Sequence, residues 1–207
     1  MYLQRTKLSA INITKFIASK FIHIDMLNRQ QQTAQNRIDL LDAALLIFRK
    51  HGIRAPLQMV IDEAGVGRAT FYRNFADRKA LVIALMEYGL QRLEKKAKYY
   101  MQFDDGLFLL IKSHIHNLPV LTALVDYWRV LEHNDPILIE IYAKRDAILQ
   151  PLIDNAIQHG ICRADLTPKD YAMITGILRS SFQGLTEQEQ MNMASRAVDL
   201  LINGIQA

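Results

Sequence analysis

From Asn36 onward the apolar positions recur at helical spacing. Ile38, Leu41, Leu45 and Phe48 form one stripe. Asp39 and Asp42 come early and Arg49, Lys50 and His51 late, the order that complements a helix dipole, and Gly52 supplies a stop. Pro56 suits the first turn of a second helix, where its missing N–H costs nothing. Leu57, Val60, Ile61 and Ala64 give that helix an apolar face before Gly65. A short helix follows to Phe75, and Asp77 is a good N-cap for a long helix through Leu81, Leu85, Tyr88 and Leu93 to about Tyr100. Further helices are predicted over 104–117, 119–133, 136–159, 168–182 and 187–205, each bounded by Pro, Gly, Asn or Asp. No strand alternation is sustained anywhere, so the expected fold is all-α.

The amino-terminal residues stand apart. Ile11, Ile13, Phe16, Ile17, Phe21, Ile22 and Ile24 fit an amphipathic helix carrying Lys15 and Lys20, and residues 30–35 are glutamine-rich, a linker or a weak helical lead-in. One reading is a basic arm that adds phosphate contacts. The other, which we prefer, is an extension of little consequence, with synthesis starting at Met26 and an ordinary polar terminus after it. The expected division is an extension at 1–32, a helix-turn-helix domain at 33–80 and a helical domain at 81–207.

Charge sharpens this division. Residues 1–100 hold 17 Lys and Arg against 8 Asp and Glu, whereas residues 101–207 hold 8 against 13. A basic half facing phosphates and an acidic half facing elsewhere fits a DNA-binding module joined to one that does not bind DNA. Half of the 207 residues are hydrophobic, which excludes a mainly disordered chain. Cys162 is the only cysteine, so no intrachain disulfide is possible and a reducing cytoplasm is expected. No apolar run approaches the roughly 20 residues that span a bilayer.

The most informative stretch is 60–75. Two short helices joined at a glycine are the core of a helix-turn-helix, whose second helix can lie in a DNA major groove. Gly65 sits where a left-handed turn residue belongs, and Val66 can plug the gap between the helices. At 100° per residue, Phe71 and Phe75 fall on one face, Ala69, Thr70 and Arg73 lie roughly opposite, and Tyr72 is at the flank. The aromatic pair should pack on Leu41, Leu45 and Phe48. Nine or so residues make a rod of roughly 13 Å, which fits a groove about 12 Å wide.

The run 64–75, followed by Arg78, Ala80 and Leu81, resembles the amino-terminal module of TetR-type transcriptional regulators. The similarity is strong over 36–85. It is weaker but recognisable over 143–170, through Leu152, Ile153, Ala156, Gly160, Ile161, Arg163 and Asp165. The resemblance implies a homodimer that binds a palindromic operator in double-stranded DNA and releases it when a small-molecule effector enters the carboxy-terminal domain. No cofactor is expected. By position, Thr70 and Tyr72 resemble residues whose hydroxyls hold phosphates. Arg68 and Arg73 would reach base edges or nearby phosphates, with Arg73 able to grip a guanine in bidentate fashion. Arg78 stands where the family usually has a phosphate-binding lysine, and Gln58 would touch the DNA backbone.

Three positions depart from the family pattern. Ala55 and Pro56 replace a usual threonine or serine, which removes a phosphate-binding cap. Ile61 replaces alanine and adds volume between the helices. Gly67 replaces a serine cap, at a cost of only a few tenths of a kcal/mol.

The second half says less. Phe108, Tyr127, Trp128, Tyr142 and Phe182 are candidates to line an effector cavity, although aromatic residues at helical spacing are also ordinary core. His114 and His116 lie about 200° apart on a helix and cannot share a metal. His133 and His159 are isolated, and no nucleophile or catalytic cluster is present, so an enzyme is not expected. The stripes Tyr171, Ile174, Leu178, Phe182 and Ala197, Leu200, Leu201, Ile205 either meet their copies across a two-fold axis as a four-helix bundle or complete the monomer's own core. A DNA-binding architectural or partner-controlled protein without a small-molecule effector is the alternative function.

Overall fold

The computed structural model describes residues 31–115, 135–180 and 186–205, which hold eight helices and no β-strand. They are α1 (31–51), α2 (Leu57–Glu63), α3 (Arg68–Asn74), α4 (Arg78–Tyr100), α5 (Gly106–Lys112), α6 (Pro136–Gln158), α7 (Pro168–Ser180) and α8 (Glu187–Ile205). Residues 1–30 of the extension and the helix expected over 119–133 lie outside the described residues. The glutamine-rich segment from 31 is the lead-in of α1, where Gln32 and Gln35 bond side chains one turn along, Asn36 and Asp39.

Local chemistry sets the helix ends. Gly65, at φ 64°, ends α2: its N–H donates to the Asp62 carbonyl and the Val66 N–H to the Ile61 carbonyl. That double bond pattern needs a left-handed residue, so glycine is favoured there. Asp77 caps α4 by accepting the Ala80 N–H at 2.8 Å. Asp135 caps α6 in the same way, with Pro136 in the first turn. Thr167 with Asp170 and Thr186 with Glu189 exchange bonds at the starts of α7 and α8. Those bonds, donated first by the threonine side chain and then by its backbone N–H, hold both carboxyls below their ordinary range.

Two hydrophobic cores result. The first joins Leu40, Leu41, Ala44, Ile47 and Phe48 of α1 to Val60, Ile61, Phe71, Phe75 and the start of α4. The second joins α5 to Leu149, Leu152, Ile153 and Ala156 of α6, to Tyr171 and Ile174 of α7, and to Ala194, Val198 and Ile202 of α8. Ile38, expected in the α1 stripe, is exposed, while Leu40, Ala44 and Ile47 are buried. The run 40–48 is apolar around most of its circumference, so spacing alone could not orient it.

The long helices α4 and α6 pack along each other, and both contribute to both cores. Leu138 and Ile141 of α6 belong to the first core, although they follow α3 by more than 60 residues. Lys79, at the start of α4, donates to the Asp135 carboxylate at 2.6 Å. The α4–α5 turn brings backbone very close at Gly106, where an added Cβ would sit 2.0 Å from the Tyr100 carbonyl oxygen.

Candidate nucleic-acid interface

The reading helix α3 is held from beneath by its aromatic pair. Phe71 and Phe75 are buried with ring centroids 5.8 Å apart, in one cluster with Leu41, Phe48 and the partly buried Leu45. Ile61 is buried in the same core. Opposite this face, Arg68, Ala69, Tyr72 and Arg73 are exposed and Thr70 is half-buried. Tyr72 is 55% exposed. The helix spans seven residues, slightly shorter than its sequence implies. Its N-cap Gly67 and the α2 N-cap Pro56 provide no side-chain capping bond.

Two arginines hold the motif in place without belonging to the reading face. Arg37 of α1 donates to the Asn74 carbonyl at 3.2 Å, and its guanidinium lies 4.6 Å from the Phe75 ring centroid. It ties the end of α3 to α1. A basic residue near the start of a helix runs against the dipole, and that irregularity was the available signal. Arg78 is the second tie. Two of its nitrogens donate to the Ile53 and Ala55 carbonyls in the α1–α2 turn, beside the Phe48 ring. Arg78, expected at a phosphate, is also an internal brace, because that turn offers carbonyls with no helical partner.

The exposed face is also ordered. Arg68 Nε donates to Gln58 Oε1 at 2.7 Å, and Gln58 Nε2 donates to Asp62 Oδ1 at 2.6 Å. Both ends of the Gln58 amide, expected near a DNA backbone, are thus engaged inside the protein. Arg73 donates through Nε to the Ala69 carbonyl and through Nη2 to Thr70 Oγ1, at 3.2 and 3.0 Å. Thr70 Oγ1 accepts that bond and keeps its own proton to donate.

In the second half, Phe108 is buried in the second core and Tyr142 is packed partly buried against the first. Tyr127, Trp128 and Phe182 lie outside the described residues. Among the described residues, two grooves have other linings. One of about 330 Å³ runs between α7 and α8 past Met173, Ile177, Leu200 and Leu201. Another of about 520 Å³ runs between α4 and α6 past Leu90, Gln91, Ala147 and Ile148.

The described apolar side chains of α7 and α8 divide by face. Tyr171 and Ile174 are buried in the monomer, whereas Met173, Ile177, Met193 and Leu200 are large apolar side chains left exposed. His114 meets the Tyr171 hydroxyl, and His159 contacts the Asn155 carbonyl on its own helix. Burial pushes the Cys162 thiol up, which disfavours a reactive thiolate. Among the described residues no cluster of three or more His, Cys, Asp or Glu could hold a metal ion, and no helix is long and apolar enough to cross a membrane.

Comparison with known proteins agrees with this geometry. Residues 40–85 match the sequence model of the bacterial regulatory proteins of the tetR family. No curated protein matches the chain. Among solved structures, a TetR transcription regulatory protein from Mycobacterium vanbaalenii is 22% identical, with a TM-score of 0.64 over 86% of this chain and 99% of that one. LfrR from Mycobacterium smegmatis, solved in complex with proflavine, is 17% identical, with a TM-score of 0.58 over 80% and 95%. SmeT, the repressor of the Stenotrophomonas maltophilia multidrug efflux pump SmeDEF, is 19% identical, with a TM-score of 0.53 over 83% and 90%. At these identities the structures establish the fold, and the family match establishes the amino-terminal domain. Residues 40–85 thus match the tetR family's model, and the helices that follow share the fold of solved TetR-family structures.

Proposed function

We propose that the protein is a dimeric repressor that leaves its operator when a small molecule enters the carboxy-terminal domain. The observation that carries the DNA half of this reading is α3 itself. Buried Phe71 and Phe75 pin it, and Arg68, Ala69, Thr70, Tyr72 and Arg73 are turned away from the core. In this reading residues 33–80 are the DNA-binding domain and 81–207 the effector and dimerisation domain. Thr70 and Tyr72 donate to phosphates, and the two arginines lie at base edges or adjacent phosphates. Binding DNA would place the protein in the cytoplasm.

The apolar residues left outside on α7 and α8 support a homodimer, since burying them against a second copy removes that surface from water. Two-fold symmetry would set the paired reading helices roughly 34–36 Å apart, one DNA turn. The repressor and effector roles draw on SmeT, a repressor, and on LfrR, solved with proflavine. Phe108, Tyr127, Trp128, Tyr142 and Phe182 are the proposed lining of the effector cavity.

Selection of bound fragments from a random DNA pool tests the reading. Enriched sites should be palindromic, with half-site centres about one helical turn apart. Recovery without any sequence enrichment would sink the operator reading. A thermal-shift screen of small molecules, repeated with operator present, tests the effector. A compound that raises the melting temperature and lowers operator affinity supports release, whereas a panel without stabilising compounds favours a protein without an effector.

A further inference from the structure

The two arginines of the reading helix are held in opposite ways. Arg68 uses its Nε on Gln58 Oε1. The Gln58 amide cannot turn over without loss, because its Nε2 donates to the Asp62 carboxylate, which accepts only. Were the amide flipped, its oxygen would face the carboxylate and its NH2 would face a guanidinium that only donates. Asp62 therefore fixes Gln58, and Gln58 fixes the plane of Arg68. Nη1 and Nη2 of Arg68 meet no protein acceptor among the described residues. Two adjacent donors are what guanine O6 and N7 accept together.

Arg73 is arranged the other way. Its Nε and Nη2, one whole edge of the fork, are bonded to the Ala69 carbonyl and Thr70 Oγ1 of its own helix. Both N–H groups of Nη1 and the second N–H of Nη2 remain, but Nη2 is shared with Thr70 and the side edge is committed to its own helix, so the outward contact assigned to Arg73 is with a phosphate.

We infer that Asp62 and Gln58 are positioning residues that preset Arg68 as the base-reading fork, and that Arg73 contacts phosphate. This rests on the DNA-binding reading and assigns specificity within it. The relay lies on the outer face of α2 and α3, so its removal leaves the buried core intact.

The experiment is fragment selection from a random pool with the full chain, followed by titration of the enriched operator, its single-base variants and random duplex DNA. Four proteins are compared with the unaltered chain: Asp62→Asn, Arg68→Ala, their double variant and Arg73→Ala. Asp62→Asn should cut discrimination at one base pair by about tenfold while binding to random duplex holds or tightens, since an acidic charge has gone. Arg68→Ala should relax the same base pair, and the double variant should discriminate no worse than Arg68→Ala alone. Arg73→Ala should weaken operator and random DNA by the same factor and lower the salt slope by about one. The relay is overturned if Asp62→Asn scales all DNAs alike, if the two losses add, or if Arg73→Ala relaxes a single position. An unaltered chain that enriches no sites would overturn the DNA-binding reading and the relay with it, whereas enrichment without these patterns overturns the relay alone.

Discussion

The two halves of the molecule leave opposite kinds of side chain in solvent. Around the first core every large aromatic residue of α3 except Tyr72 is inside, and the outer face carries arginine, threonine and tyrosine. Around the second core, α7 and α8 bury one apolar face and still expose Met173, Ile177, Met193 and Leu200. A surface of fixed donors suits a charged, hydrated partner, whereas a surface of uncovered methyl and methylene groups suits another apolar surface. The same chain thus prepares two contacts governed by different physics. Salt should weaken the first far more than the second.

The most damaging way to break the comparison is to remove what pins α3. Phe71→Ala should cost about 3–5 kcal/mol of folding stability in chemical denaturation and abolish operator binding. Retained binding with a small stability loss would mean α3 does not depend on its aromatic face. Next in size is Gly106→Ala, which strikes the second half alone. Its Cβ would meet backbone, not a flexible side chain, so a loss of at least about 1–3 kcal/mol is expected in thermal unfolding. An unchanged midpoint would show that the α4–α5 turn can open at little cost.

Leu200→Glu tests the exposed apolar face without touching either core. At 56% exposure its effect on monomer folding should be below about 0.5 kcal/mol, but sedimentation should shift from dimer toward monomer. A dimer that survives unchanged would move the interface elsewhere. The smallest effect expected is at the tie between the halves. The hydrogen bond from Lys79, followed by the one from the Ile137 N–H, holds the Asp135 carboxyl below its usual range. A depressed carboxylate stabilises the fold above its unfolded pKa, and that contribution disappears as pH falls through the lower, folded value. Asp135→Asn should therefore narrow its difference from the parent protein only in acid. A difference that stays constant from neutral to acid pH would dissociate the tie from the carboxylate's charge.

How much of this was legible beforehand follows from the range of each interaction. The turn at Gly65, the cap at Asp77 and the inward register of Phe71 and Phe75 involve neighbours within a few residues, and spacing predicts them. The α1 stripe was only partly readable, because Ile38 and Leu40 are equally apolar and the neighbours decide which one faces inward. Arg78 looked like a phosphate ligand since its position and charge permit it. Nothing local announces that Ile53 and Ala55 carbonyls stand within its reach.

By itself, then, the amino-acid order determined the helices, their punctuation and the aromatic anchor of the reading helix, all consequences of short-range sterics, capping and periodicity. Tertiary structure alone decided that α6 returns to the first core through Leu138 and Ile141, and that Arg37 and Arg78 brace the motif. It also decided that Tyr171 and Ile174 turn inward while Met173 and Leu200 remain outside. The reason is physical: an amphipathic pattern states that one face will be covered, but what covers it depends on segments far away in the chain. A long polar side chain likewise takes whichever acceptor folding brings near.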